Sequence, residues 1–188
     1  MKTIVLLGAP GAGKGTQAKK LCDYLDIPHV STGDIFRHNI EGKTALGREA
    51  EKYISQGNLV PDELTNRLVE SRLHEGACDS GFVLDGFPRT VNQADALKSI
   101  LHRCARTLDA VIDITIPEEE IIERLLKRAH IEGRADDTRE VITRRISVYH
   151  QSTEPLLAYY EKEGLLCSVD GHGSIDDVWQ RMKSLIAK

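Results

Sequence analysis

Four glycines and a lysine fall within nine residues, Gly8-Ala9-Pro10-Gly11-Ala12-Gly13-Lys14-Gly15-Thr16, between the apolar run Thr3-Ile4-Val5-Leu6-Leu7 and a stretch of helical spacing. Where side chains are missing, successive backbone N–H groups can converge on one point, a place for a phosphate. A helix beginning near Lys14 would aim the positive end of its dipole at that point, and the lysine adds a mobile ammonium for the outer phosphates. The pattern G-x-x-x-x-G-K is that of the phosphate-cradling loop of nucleoside triphosphate enzymes. Gly15 stands where the pattern usually has Ser or Thr, with Thr16 one place later, so direct magnesium ligation by Thr16 is in question. A turn that binds nothing and a dinucleotide fingerprint opened by Gly11-Ala12-Gly13 are the competing readings, and neither calls for a lysine at the helix entrance.

A second candidate is Gly81-Phe82-Val83-Leu84-Asp85-Gly86-Phe87-Pro88-Arg89. An apolar strand ending in Asp85 supplies a carboxylate at a sheet edge, able to hold magnesium directly or through water, against the plainer reading of a turn aspartate before Gly86. Arg89 would project from the same edge, with Gln93 one helical turn on. Ser31 and Asp34 have capping-box spacing, and Arg37 lies one turn beyond. Six arginines crowd between Arg124 and Arg145 in a chain of net charge −4. Pairing with Glu118, Glu119, Glu120, Glu123, Glu132 and Asp136 accounts for half of them, and bidentate phosphate contact for the rest. Arg124, Arg128, Arg134 and Arg145 are expected to be functional, and Arg139 and Arg144 to be surface residues. His172, between two glycines, reads as a solvated loop histidine.

These groups need a sheet edge to gather them. Short apolar runs at 3–7, 29–30, 81–85, 110–116 and 165–169 alternate with helical patterns, which predicts an α/β fold with a five-stranded, all-parallel sheet covered on both faces. Ligands of such sheets sit at the carboxyl ends of the strands. Helices are expected over 14–25, from Pro61-Asp62 with Leu64, Leu68, Val69 and Leu73 inward, over 91–103 and over 118–129. A single long helix is expected over 139–162, and a terminal helix capped by Ser174 and Asp177, with Ile175, Val178, Trp179, Met182, Leu185 and Ile186 as core. Between Ile40 and Gly57 a polar stretch carries only the patch Leu46, Ala50, Tyr53 and Ile54, too little to join the main core, and reads as a small helical flap.

The whole chain sets further bounds. At 188 residues it holds one full core and is too short for two ordinary domains. No apolar run approaches the roughly 18 residues of a membrane span, and the N-terminus enters a strand directly, so a cytoplasmic protein is expected. Cys22, Cys78, Cys104 and Cys167 are isolated and expected to be buried, reduced thiols. The negative net charge disfavours nucleic acid and anionic lipid as partners.

GAPGAGKGTQ at 8–17, STGDIFR at 31–37, LDGFPR at 84–89, Asn92-Gln93 and Tyr149-His150-Gln151 together resemble the nucleoside monophosphate kinases, and within them the adenylate kinase family in its short-lid form. The resemblance runs in order along nearly the entire chain. It implies a three-layer P-loop NTPase fold, with a core of 1–30, 61–127 and 139–188, a nucleotide-binding flap of 31–60 and a short lid of 128–138. It also implies reversible transfer of a phosphoryl group from Mg-ATP to AMP, giving two ADP. Gly11, Ala12, Gly13, Lys14, Gly15 and Thr16 would hold ATP, with Arg124, Arg128 and the backbone at Gly173. AMP would be received by Thr32, Gly33 and Arg37, by Asn58, Leu59 and Val60, and by Gly86, Phe87, Pro88, Arg89 and Gln93. Lys14, Arg89, Arg128, Arg134 and Arg145 would be catalytic, the last two bridging the transferring group, and Asp85 with Asp34 would order Mg2+ through water. Thr32 favours AMP over UMP or CMP, since uridylate and cytidylate kinases tend to carry a smaller residue there. No zinc is expected in so short a lid, which has no cysteine, and a monomer is expected. A uridylate/cytidylate kinase is the nearer alternative. A nucleotide-gated switch NTPase is the more distant one, although the sequence lacks N-K-x-D.

Overall fold

The computed structural model describes residues 2–74, 79–132 and 138–186. Strands β1 (Lys2–Leu7), β2 (His29–Ser31), β3 (Gly81–Asp85), β4 (Ala110–Thr115) and β5 (Leu166–Asp170) form one parallel sheet in the order β2-β3-β1-β4-β5. The period-two alternation of β1 divides the core: Ile4 and Leu6 enter one apolar cluster, Val5 and Leu7 the other. Helices α1 (Lys14–Leu25), α6 (Glu118–Glu132), α7 (Arg139–Val148) and α9 (Ile175–Ile186) contribute to the first cluster. Helices α4 (Asp62–Leu73), α5 (Val91–Arg103) and α8 (Pro155–Lys162) contribute to the second. Both faces of the sheet are thus covered, as continuous apolar runs in parallel strands require.

Helices α2 (Thr32–Glu41) and α3 (Ala45–Ile54) form the small unit between β2 and α4. Its own cluster is Phe36, Ala50 and Val60, with Leu46, Tyr53 and Ile54 packed around them. Leu64 and Leu68 of α4 pack on this cluster, whereas Val69 and Leu73 pack in the main core. The apolar face expected of α4 is therefore shared between two bodies, which ties the small unit to the sheet.

The single helix expected over 139–162 is broken. A π turn, Tyr149–Thr153, separates α7 from α8, and the Glu154 N–H reaches back to Tyr149 O at 2.9 Å. Pro155 explains it, because proline has no N–H to donate and its ring would collide with the carbonyl four residues earlier; widening one turn relieves both. Helix α6 runs on to Glu132, beyond the expected end near Ala129. Ile175, expected in the core, is 55% exposed at the start of α9; Cys22 is buried, Cys104 and Cys167 are half-buried, and Cys78 lies outside the described residues. Among the described residues no helix is long and apolar enough to cross a membrane.

Candidate active site

Sheet register puts the chemistry in one place. Leu6 of β1 is level with Asp85 of β3, Leu7 is level with Asp113 of β4, and Ser31 of β2 is level with Asp85. The carboxyl edge thus carries two carboxylates on either side of the strand that feeds the glycine loop. Gly8 opens the loop at φ 136°, and a Cβ there would stand 2.6 Å from the Ile114 carbonyl oxygen of the neighbouring strand, so only glycine turns the chain away from the sheet at this point. Gly13 caps α1 without a side-chain hydrogen bond, and the first turn of that helix carries no acidic residue. Its leading N–H groups and the positive dipole end are therefore presented to the cleft.

Lys14 folds back onto its own loop, its Nζ donating to Gly8 O at 2.7 Å and to Ala9 O at 2.9 Å. Lys14 lines the cleft, while its ammonium ends among the loop carbonyls. Burial pulls its pKa down to about 8; Asp85 opposes that shift, and the guanidinium groups of Arg89, Arg145 and Arg128 add to it. Asp85 is buried, with His29 Nε2 at 3.5 Å from its Oδ2. Burial would raise the Asp85 pKa, yet His29, Lys14 and Arg89 together hold the carboxyl below its usual range. Gly15, the departure from the usual Ser or Thr, faces this carboxylate: a Cβ on Gly15 would lie 3.4 Å from Asp85 Oδ2. Thr16 is exposed at the same mouth.

Across the edge, a hydrogen-bond chain fixes the second half of the site. Gly86 O accepts from Thr32 Oγ1 at 2.8 Å and from Arg89 Nε at 2.8 Å. The Arg89 N–H donates to Gln93 Oε1 at 2.7 Å, Gln93 Nε2 donates to Asp62 Oδ1 at 2.7 Å, and Thr153 Oγ1 donates to Arg89 O at 2.9 Å. Arg89 is thus held at its backbone from two sides and at its guanidinium from one. Burial and the nearby Arg37 lower the Arg89 pKa, against the pull of Asp85. Arg37 pairs with Asp34 Oδ1 at 2.5 Å, and Ser31 Oγ caps α2 by accepting from the Asp34 N–H at 3.2 Å. Burial notwithstanding, Arg37 and Ser31 keep the Asp34 carboxyl below its ordinary range.

One cleft of about 790 Å³ joins these parts. The glycine loop, Lys14, Thr16 and Asp85 line its floor; Arg124, Arg128 and Gly173 stand at one end; Asp34, Arg37, Arg89 and Arg145 stand at the other. A side pocket continues from that second end, sharing Gly33, Arg37, Gly86, Arg89 and Arg145 with the cleft. Its remaining walls include Thr32, Asn58, Leu59, Val60 and Gln93, so the residues expected on the acceptor side do come together. Two of that group, Phe87 and Pro88, do not line the side pocket. Phe87 is fully enclosed in the core, and Pro88 lines an adjoining recess with Lys14, Tyr149 and Thr153, which shares Gly57, Leu59, Gly86, Arg89 and Arg145 with the side pocket. Arg134 lies outside the described residues, with the rest of 133–137 in the expected lid.

Several contributors are invisible to motif reading. Phe36, Ile54, Gly57 and Thr65 complete the side pocket. His29 reaches Asp85 because β2 pairs with β3. Asp113 is buried and only its Oδ2 accepts, from Thr115 Oγ1 at 3.2 Å; burial raises its pKa, opposed by that hydroxyl and by Lys14. A polar residue inside each apolar strand was the available signal for both. Arg144, read as a surface residue, is exposed but donates to Asn58 Oδ1 at 2.8 Å, tying α7 to the exit of the small unit.

A family model described as adenylate kinase matches residues 6–165. The chain is 54% identical over 178 residues to a protein of Nocardia farcinica named adenylate kinase, covering 95% of each chain. It is 50% identical over 182 residues to one of Micrococcus luteus, covering 97% of this chain and 89% of that one. It is 47% identical over 186 residues to one of Cyanothece sp., covering 99% and 95% respectively. All three relatives bear the same name. With a glycine loop, a carboxylate and a set of guanidinium groups on one sheet edge, and with identity of this extent along almost its full length, the chain belongs to the adenylate kinase family.

Proposed function

We propose that this protein transfers the terminal phosphoryl group of Mg-ATP to AMP, reversibly, to give two ADP. The observation that carries the reading is the continuity of the cleft: Lys14, Arg89 and Arg145 line it together with the glycine loop, and Arg89 and Arg145 also line the Thr32 pocket. ATP lies with its phosphates on the loop 11–16 and its base toward Arg124 and Gly173. AMP occupies the pocket of Thr32, Gly33, Asn58, Leu59, Val60 and Gln93, its phosphate met by Arg37 and Arg89. Thr32 supports adenine over the pyrimidines as acceptor base.

Phosphoryl transfer asks for alignment and charge neutralisation, not for a protein nucleophile. Lys14, released from the Gly8 and Ala9 carbonyls, follows the outer phosphates, while Arg89, Arg128, Arg134 and Arg145 neutralise charge spread over the transferring group. Magnesium fits the donor set. Among the described residues no group of three or more His, Cys, Asp or Glu makes a protein cage, and this ion is commonly held by one or two carboxylates with water and substrate phosphates. Asp85, with Asp34, would hold it through water, where it offsets polyphosphate charge. The unit 31–60 acts as the acceptor flap and 128–138 as the lid, and their closure excludes water that would otherwise take the phosphoryl group. A monomer working in the cytoplasm belongs to the same reading.

The test is acceptor dependence. With Mg-ATP held constant, AMP, UMP and CMP are offered in turn and ADP is followed: ADP formation that requires AMP, with two ADP formed for each ATP consumed, is expected. Preference for UMP or CMP would point to a pyrimidine kinase, and slow release of inorganic phosphate regardless of acceptor to a switch NTPase.

A further inference from the structure

At the donor end of the cleft a carboxylate outside the lining holds together two segments that are far apart in sequence. Glu120 and Arg124 are one turn apart on α6, and Arg124 Nη2 donates to Glu120 Oε1 at 2.5 Å and to Gly171 O at 3.0 Å. The other oxygen of the same carboxylate, Oε2, is 2.9 Å from His172 Nδ1. Each oxygen of Glu120 thus has its own partner, one on its own helix and one on the loop between β5 and α9. From the opposite side Arg181 Nη1 donates to Asp170 O at 2.8 Å and to His172 O at 2.6 Å. Three successive carbonyls of this loop, Asp170, Gly171 and His172, are therefore each bound by a guanidinium. Gly171 cannot retreat, since its N–H bonds Thr115 O at 2.8 Å and a Cβ there would already meet Ile114 and Ile116 at 2.6 Å.

Arg124, Gly171 and Gly173 line the cleft, whereas Glu120 does not. We infer that Glu120 is a positioning residue for the donor nucleotide: by holding Arg124 and the Asp170–Gly173 loop in one arrangement, it preforms the wall against which the donor base is received. This rests on the reading of the cleft as an ATP site. A flat, pre-aimed guanidinium next to a fixed backbone presents a stacking plane and polar edges without having to be ordered at the moment of binding. The link is partly solvated, with side-chain exposures of 25% for Glu120, 30% for Arg124 and 71% for His172. Exposed pairs of this kind contribute little to fold stability. Its effect therefore falls on geometry. His172, with Arg124, keeps the Glu120 carboxyl below its usual pKa, so it is ionised wherever the enzyme would be assayed.

Steady-state kinetics on Glu120→Ala test the inference. The KM for Mg-ATP is expected to rise about 3- to 10-fold, the loss associated with one or two side chains that must be ordered on binding. The KM for AMP, kcat and the melting temperature should stay near wild type. Glu120→Gln, which still accepts from Arg124, should restore most of the ATP affinity, and His172→Ala should show a smaller rise in the same parameter. In an Arg124→Ala background, Glu120→Ala should add little. An active Glu120→Ala enzyme with unchanged KM for ATP, an equal rise in both substrates' KM, or full additivity with Arg124→Ala would overturn the inference. A wild-type protein that makes no AMP-dependent ADP would instead remove the ATP reading on which it stands, and the inference with it.

Discussion

Replacing Lys14 by Met should separate the cost of the phosphate loop from its use. In the folded chain the Lys14 proton is held more weakly than in the unfolded chain, its pKa falling from 10.5 to about 8, chiefly through burial. At 1.36 kcal/mol per unit this difference amounts to roughly 3 kcal/mol of destabilisation borne by the charged form near neutral pH. The sign follows from linkage. A depressed folded value means that the lysine's contribution is fully present above the unfolded pKa and lost as pH falls through the folded one. Wild type should therefore gain about 2 kcal/mol on Lys14→Met between pH 7 and pH 9.5. Guanidinium melts of both proteins at the two pH values measure this, because groups distant from Lys14 titrate alike in each and cancel in the difference. Activity should move the other way, the Met variant losing at least about 10²-fold in turnover. A wild-type minus variant difference that is flat with pH, or that falls as pH rises, would refute the claim that the ammonium is held in a desolvated position. A folded variant with near-normal turnover would remove Lys14 from the reaction.

Other perturbations have equally definite outcomes. Arg89→Ala should cut kcat by about 10²- to 10³-fold with the fold intact, as loss of a preorganised charge stabiliser does; a change confined to KM for AMP would reassign Arg89 to binding alone. Asp113→Asn should flatten stability against pH. Burial raises the Asp113 pKa, so its contribution is fully present below the ordinary carboxylate range and lost as pH rises through the raised value, and urea melts at pH 4.5 and 7 should show wild type gaining on the variant at the lower pH. Gly47→Ala places a Cβ 2.0 Å from Asn39 O, forcing α2 and α3 apart. It should cost about 1–3 kcal/mol and raise the KM for AMP while leaving that for ATP unchanged.

What could be read directly from the sequence is what the backbone or a single element dictates. Gly8 and Gly13 announce themselves because their positive φ favours glycine, and α1 and α5 have the expected bounds because capping and periodicity are local. The capping box at Ser174 and Asp177 is reciprocal in the structure, with Asp177 N–H to Ser174 Oγ at 3.2 Å and Ser174 N–H to Asp177 Oδ2 at 3.0 Å. The break at Pro155 was harder to read, since proline also begins helices, and only the π turn before it distinguishes the two cases. The residues missed were those whose partner is chosen by tertiary register. His29 meets Asp85 because two strands pair in parallel, and Glu120 meets His172 across 52 positions because α6 packs beside the loop that follows β5. Ile175 repeated the helical spacing of a core residue yet lines the cleft and is exposed.

The stereochemical course at phosphorus tests the central claim, that two nucleotides share one cleft and exchange the phosphoryl group directly. With ATP made chiral at its terminal phosphoryl group by oxygen isotopes, transfer to AMP should invert the configuration, the mark of a single in-line displacement with both nucleotides bound. Retention would mean two successive displacements through a phosphorylated side chain, and would contradict the account.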